Sequence, residues 1–388
     1  MRNGIHPRAL LTGAMIMGGA LLVTGCSAPG ESASSGGGGG SGPIKLAIVD
    51  AQSGQLSSLG HWEASGVTLA VDQINADGGV CDGRKIKLTQ FDDQGDPTTG
   101  TTLAQKVATG GYAAVMGTAE SGVTLAMIPI MSQASIPMVT SGQSPKLEQA
   151  GSDFLFMNSP TSTTFDSTLA KYLVEKKGIK SIAMITNNGA YGTGEHDAFT
   201  AALKDLGVTP VADEIVTPDQ KDFTGALTSI RGANPEALFI GSEEVEAGLI
   251  AKQARTLGIQ ATIAGGAPIG TQVYIDTAGA DNAEGSIVST PYLSNDATDQ
   301  TKKFAADYQK KFGETAEAHG AKAYDGANIV AKALDSANCA TGKKLADAIR
   351  STKYEGLQGK FTFDKNGVGL TQTQIGVIKG GKVVAAEG

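Results

Sequence analysis

The sequence predicts an α/β protein of two lobes, each built on a doubly wound, largely parallel sheet, and three observations predict it. Short apolar runs alternate with amphipathic stretches along most of the chain, which is the pattern of βα units. The alternation restarts near residue 161, after a first set of strands. The body, from about Pro43 to Gly388, exceeds the ~250–300 residues at which a single hydrophobic core stops growing.

The first half reads as follows. Ile44 to Asp50 is a strand, followed by a turn at Ser53-Gly54-Gln55. A helix then carries Val67, Ala70, Val71 and Ile74 at helical spacing until Gly78-Gly79 stops it. Ile86 to Phe91 is the second strand and closes at Asp92-Asp93. Thr98 to Ala108 is helix, started by Asp96-Pro97, an N-cap with proline at the first turn. Tyr112 to Met116 is strand, Ile128 to Ala134 has helical apolar spacing, and Ile136 to Thr140 is strand again.

In the second half, Phe165 to Lys177 is helix and Ser181 to Thr186 strand. Ala198 to Leu206 and Gly225 to Arg231 are helices, each followed by a strand, Val211 to Val216 and Ala237 to Ile240. Ala247 to Leu257 (helix), Ala261 to Ala264 and Ser286 to Ser289 continue the alternation. Helices follow around Thr301 to Phe312, Ala321 to Leu334 and Leu345 to Ser351. A hairpin closes the chain: Lys360 to Phe363, a turn at Asp364-Lys365-Asn366-Gly367, then Gln374 to Ile378, with Asn-Gly as the turn signal.

The N-terminus has a different character. Arg2 and Arg8 precede an uncharged run of about 15 residues, Ala9 to Val23, shorter than the ~20 that span a bilayer. Small residues follow, then Cys26 and a Ser/Gly tract that includes Gly36 to Gly40. A basic start, a short apolar core and a small-residue cut site describe an export signal over residues 1–25. The Val23-Thr24-Gly25-Cys26 ending resembles the lipobox of bacterial lipoproteins, which implies a lipid on Cys26 and a flexible tether over residues 26–43. The expected location is extracytoplasmic, anchored to the cell membrane through that lipid.

The net charge of −8 becomes −10 once Arg2 and Arg8 leave with the signal. An acidic chain with scattered lysines carries no electrostatic footprint for nucleic acid. With Cys26 lipidated, Cys81 and Cys339 remain as an even pair in an oxidising compartment. Cys81 follows the glycine stop of the first helix and Cys339 follows the helix holding Ala327 to Leu334. A disulfide is expected, with two inert buried thiols as the alternative.

The motifs of common enzyme chemistries do not form. There is no Gly-x-x-x-x-Gly-Lys-Ser/Thr and no His-Glu-x-x-His, and four histidines in the whole sequence, one of them in the signal, argue against a His-based metal site. Gly142-Gln143-Ser144-Pro145-Lys146 lacks the closing glycine of a nucleophile elbow. Asp92-Asp93-Gln94-Gly95-Asp96 lacks the spacing of a calcium loop. The sequence therefore predicts no enzyme activity, no cofactor and no metal.

The loops carry a resemblance. "SGQLSSLG", "AVDQINADGGVCDGRKIKL", "DDQGDP", "VMGTAESGVTLAMIPIMSQASIPMVTSGQSPKL", "NNGAYGTG" and "KQARTLGI" follow in the order and spacing of the branched-chain amino acid binding proteins. The chain resembles that family, the type I periplasmic binding proteins that serve ABC importers, from about Ile44 to the C-terminus. The resemblance implies two lobes joined by three crossings and closing on a ligand. Lobe 1 would comprise residues 44–160 and 286–356, and lobe 2 residues 161–285 and 357–388. It implies a receptor that captures a small polar solute, a branched-chain amino acid first, and delivers it to an ABC permease in the membrane. An amide, urea-like or other small organic solute is the alternative, as is a ligand sensor of the same fold; a surface hydrolase acting through Ser121 or Ser144 ranks behind both. A monomer is expected.

The family's site residues carry over one by one. A serine after the third strand takes the ligand carboxylate, and Ser121 stands there, in Gly117-Thr118-Ala119-Glu120-Ser121. A serine at a helix start is also a plain N-cap, and the two roles coexist. The loop after the fourth strand gives a carbonyl and a threonine; here it reads Thr140-Ser141-Gly142-Gln143-Ser144 and is one residue shorter, so Gln143 or Ser144 takes the threonine's place. Tyr191 matches a tyrosine that stacks over the ligand, and would otherwise be a surface residue. Where the family often has an acid for the ligand ammonium, this chain has Ala267; Glu243 or Glu120 is expected to replace it, with rim charges as the alternative. His319 and Trp62 either narrow the pocket or simply pack.

Overall fold

A computed structural model describes residues 42–294 and 298–387. Cys26, the signal and most of the tether lie outside the described residues. The first lobe opens with β1 (Ile44–Asp50), α1 (Ser57–Ala76), β2 (Ile86–Asp92), α2 (Pro97–Thr109), β3 (Ala114–Met116), α3 (Ser121–Gln133), β4 (Met138–Thr140), α4 (Lys146–Gln149) and β5 (Leu155–Met157). These strands form one parallel sheet in the order β2-β1-β3-β4-β5. Strands buried on both faces have near-continuous apolar runs, as in β1, where Leu46, Ala47, Ile48 and Val49 are all buried.

The chain then crosses to the second lobe. α5 (Ser162–Lys171) runs on through a π turn to Lys176, followed by β6 (Ile182–Asn187), α6 (Ala190–Asp205), β7 (Ala212–Val216), α7 (Thr224–Ala233), β8 (Ala237–Gly241) and α8 (Glu244–Thr256). β9 (Thr262–Gly265), a 3-10 turn at Ala267–Gly270, α9 (Gln272–Ala278), α10 (Ala280–Ala283) and β10 (Ile287–Thr290) complete this pass. A second crossing leads to α11 (Asp299–Phe312), α12 (Ala318–Ser336), α13 (Lys343–Ser351), β11 (Tyr354–Gly356), β12 (Gly359–Phe363) and β13 (Gly369–Leu370). A third brings β14 (Gln374–Lys379) and β15 (Lys382–Ala385) onto the second sheet, whose order is β15-β14-β10-β9-β8-β6-β7.

Three expectations are corrected. The segment expected to re-enter lobe 1 at residue 286 does so only after β10, which pairs with β9 and β14 in the second sheet. The segment expected to join lobe 2 at residue 357 stays on the first lobe through β13, because Phe361 and Phe363 bury against Ile48, Phe156 and Leu345. The closing hairpin therefore pairs β12 with β13, while β14 pairs with β10 and β15 and sinks Ile378 into the second core. β5 was not expected, and the helix placed over Phe165 to Lys177 begins three residues earlier.

α1 and α12 lie side by side in the first lobe. A Cβ on Gly66 would stand 2.1 Å from the Gly320 carbonyl oxygen, so only glycine lets these backbones approach. At the other end of the pair the structure joins Cys81 to Cys339 in a disulfide, with Cα atoms 5.8 Å apart. No helix among the described residues is long and apolar enough to cross a membrane.

Candidate functional site

Parallel sheets present their loops at the carboxyl ends of the strands, where helix N-termini offer unpaired N–H groups. Both lobes turn those ends toward each other. Ser121 opens α3 and is buried; its Oγ accepts from the Ser144 N–H at 3.3 Å. The Ser144 hydroxyl donates to the Ala190 carbonyl at 2.9 Å, and Ala190 begins α6 of the opposite lobe. At the rim, Gln55 Nε2 donates to Asp219 Oδ1 at 2.7 Å and Lys221 donates to Gln55 Oε1. The lobes are thus closed on one another, with the candidate residues enclosed between them.

The loop after β3 is held from below. The Thr118 hydroxyl donates to the Glu120 carbonyl at 2.7 Å and meets Thr124 Oγ1 at 2.9 Å, so Thr118 acts beneath the loop. The Ala119 N–H donates to Asp50 Oδ1 at 2.7 Å, and Glu120 Oε2 accepts from the Val123 N–H at 2.9 Å, capping α3. In the loop after β4, the Gly142 N–H donates to Thr140 Oγ1 at 2.9 Å and the Gln143 carbonyl accepts from the Ser162 N–H at 2.9 Å. Gln143 Nε2 is buried without a hydrogen-bond partner, while the Ser141 side chain bonds the Glu63 carboxyl.

The second lobe brings Tyr191 and Glu195 one helical turn apart on α6, both buried. Burial, then the Glu195 and Glu243 carboxyls, push the Tyr191 phenol well above its ordinary range. Glu195 Oε1 accepts from the Ser162 hydroxyl, while burial raises its carboxyl to about 7. Glu243 stands at the N-cap of α8 but makes no cap bond with its side chain. Burial and the neighbouring Glu244, Glu120 and Glu246 carboxyls hold it well above the usual carboxylate range.

Two cavities flank the enclosed groups. A recess of about 150 Å³ is walled by Glu120, Tyr191, Glu243 and Glu246. A larger one of about 630 Å³ is walled by Trp62 and Glu317 of the first lobe and by Ala267, Thr290 and Val383 of the second. His319 stacks on Trp62, with ring centroids 6.3 Å apart and planes 25° from parallel, and its Nδ1 lies 4.0 Å from Glu63 Oε1. Burial, then Lys322, keep the imidazole neutral. The predicted residues therefore divide: Glu120, Tyr191 and Glu243 face the small recess, Trp62 and Ala267 the large cavity, and Ser121 with the Ser141–Ser144 loop lies enclosed.

The family model for the periplasmic binding protein matches residues 43–382. The chain belongs to the periplasmic binding protein family. It is similar to a Leu/Ile/Val-binding protein of Rhizobium johnstonii, 30% identical over 356 residues, covering 89% of this chain and 94% of that one. Among solved structures it is similar to the branched-chain amino acid transporter substrate binding protein LivJ of Streptococcus pneumoniae in complex with isoleucine. There the identity is 28%, the TM-score 0.83, and the match covers 89% of this chain and 99% of that one. A leucine binding protein of Thermotoga maritima follows, 25% identical with a TM-score of 0.82, covering 89% and 98%.

Several groups in the cleft were not anticipated. Glu63 projects from α1 and Lys322 from α12, both buried, and the Lys322 ammonium donates to the Ser141 carbonyl at 3.3 Å. Burial lifts the Glu63 carboxyl to about 7, with Lys322 pulling the other way. Glu244, from the opposite lobe, is raised to about 7 by burial and also feels Lys322. Asp166 is buried on α5 with Glu195 beside it, and its carboxyl is pushed well up by burial first. One signal was available: Glu63 lies on the stripe of Val67, Ala70 and Ile74, an acid at a core-facing position of an apolar helix face. Among the described residues no group of His, Cys, Asp and Glu side chains is arranged to hold a metal ion.

Proposed function

We propose that this protein is an extracytoplasmic receptor that captures a small polar solute of amino-acid size by lobe closure and delivers it to an ABC importer. It is tethered by a lipid on Cys26 and acts as a monomer that leaves its ligand chemically unaltered. The observation that carries this reading is the pair of buried polar faces meeting across the cleft, with Ser144 bonded to the opposite lobe at Ala190. A ligand shifts such an equilibrium only by touching the closed form more favourably than the open one. Ser121, Gln143 and Ser144 would bind on the first lobe, with Tyr191 and Glu243 arriving on closure.

Between the two candidates for the missing ammonium partner, Glu243 is favoured. Glu120 already caps α3 through Oε2, whereas the Glu243 carboxyl has no cap bond. The branched-chain amino acids, which the named relatives bind, are the reference ligands. A thermal-shift panel of amino acids, amides and amines tests the reading. Saturation at a hundredfold excess over Kd stabilises the folded protein by about 2.7 kcal/mol. Tyr191→Ala should weaken the best hit; unchanged affinity would place the site elsewhere, and product formation would end the receptor reading.

A further inference from the structure

We infer that Gly194 is a positioning residue for solute capture: its missing side chain sets how far the second lobe closes, and so where Tyr191 comes to rest over the site. This rests on the lobe-closure reading above and names a contact that limits closure.

Glycine inside a helix lowers stability relative to alanine, so its place in α6 needs a local reason. Two glycines stand in the opening turns of that helix, and they meet different neighbours. A Cβ on Gly192 would lie 2.3 Å from the Asn187 carbonyl oxygen and 2.3 Å from Asn187 Oδ1, both in the second lobe. That glycine seats the helix on its own sheet. A Cβ on Gly194 would lie 2.8 Å from Pro145 Cδ, 2.8 Å from Ser144 Oγ and 3.2 Å from Ser144 Cα. These three nearest atoms all belong to the first lobe, in the loop between β4 and α4. Gly194 is buried and its φ is not positive, so close approach rather than backbone freedom is what it supplies.

The facing loop has little room to yield. Pro145 Cδ is fixed in its ring, and Ser144 Cα is backbone. The Ser144 hydroxyl is committed to the Ala190 carbonyl at 2.9 Å, and the Ser144 N–H to Ser121 Oγ at 3.3 Å. A methyl group at position 194 is therefore admitted only if the lobes stand further apart or Ser144 shifts. Both outcomes reach the site. Tyr191 lies three residues before Gly194 on the same face of α6, so a raised second lobe lifts the phenol. A shifted Ser144 disturbs Ser121 instead.

A clash inside one lobe is present whenever the protein is folded, whereas a clash across the cleft disappears when the lobes part. Substitutions at 192 and 194, two residues apart on one helix, should accordingly separate stability from affinity.

Melting curves without solute and calorimetric titration with L-leucine test this on the full-length protein, Gly194→Ala, Gly192→Ala and Gly232→Ala. Gly194→Ala is expected to melt at or slightly above the parent, because alanine favours the helix, and to bind leucine about tenfold or more weakly. Gly192→Ala is expected to melt lower. Gly232→Ala, with nothing within 4 Å of its new Cβ, is expected to leave leucine affinity unchanged. A solute-free Gly194→Ala protein that melts several degrees below the parent overturns the proposal, because the glycine would then serve the fold. Parental leucine affinity in Gly194→Ala overturns it as well; if Tyr191→Ala abolishes that binding, the cleft reading survives. Where leucine does not bind the parent, L-isoleucine, L-valine and 3-methylbutanamide take its place in the same comparison. Absence of binding by all of these and by the wider thermal-shift panel removes the cleft reading and the proposal together.

Discussion

Replacing Gly66 by alanine should be among the most damaging single-methyl additions the first lobe can receive. The new Cβ would lie 2.1 Å from the Gly320 carbonyl oxygen, 2.9 Å from its carbonyl carbon and 3.1 Å from its Cα. All three are backbone atoms of α12, so no rotamer change relieves the clash, and the helices must part by about 1 Å to reach ordinary contact. Overpacking of this kind costs about 1–3 kcal/mol, and a backbone-to-backbone clash belongs at the upper end. An unfolding entropy of about 2.1 cal/mol/K per residue over roughly 345 residues converts 3 kcal/mol into about 4 °C of melting temperature. If the first lobe melts alone, the shift roughly doubles. Differential scanning calorimetry reads this directly. Gly232→Ala is the matched control: it is exposed on the solvent side of α7 with nothing within 4 Å of the new Cβ, and should raise stability by up to about 1 kcal/mol. A Gly66→Ala protein that melts with the parent would refute the close-packing argument.

Three further outcomes are expected. The Cys81→Ser, Cys339→Ser double variant opens a loop with a sequence separation of 258 residues, and loop-closure entropy puts the loss at roughly 5 kcal/mol; urea denaturation checks it, and an unchanged midpoint would contradict it. Stability without solute should fall as pH rises from about 5 to 8. Glu63, Glu195 and Glu244 stand at about 7, above the 4.5 of a free glutamate, so the folded form binds protons the unfolded form has released, and raising the pH through that window removes the advantage. Melting temperature against pH measures this, and a rise over that window would refute it. Gln55→Ala removes the rim contacts to Asp219 and Lys221; being solvent-exposed they contribute about 0.5–1 kcal/mol, so solute release should quicken by about two- to fivefold in stopped-flow traces.

The alternation of elements was legible because β1, β6 and β8 are buried on both faces and have uninterrupted apolar runs. β5 and β13 were not, since three and two residues are too few to show a period. The Asn366-Gly367 turn signalled a hairpin correctly, but its partner strand depended on which core received the aromatic side chains. Phe361 and Phe363 chose the first core and Ile378 the second, a choice made by distant residues. The loops around Ser121 and Tyr191 were found because their order and spacing carry a resemblance. Glu195 and Glu244 were missed for a physical reason: acids near a helix start are favoured by the dipole anyway, and the residues that bury them come from remote segments.

Tying α1 and α12 together at both ends has an implication for affinity. Glycine contact joins them near Trp62, Glu63, His319 and Lys322, and a covalent bridge clasps their far ends at Cys81 and Cys339. Half of the receiving surface is thereby set before any guest arrives, leaving less conformational freedom to surrender on association. The protein can reserve its mobility for the three strands of chain between the lobes, and keep the platform on which a guest first lands stiff.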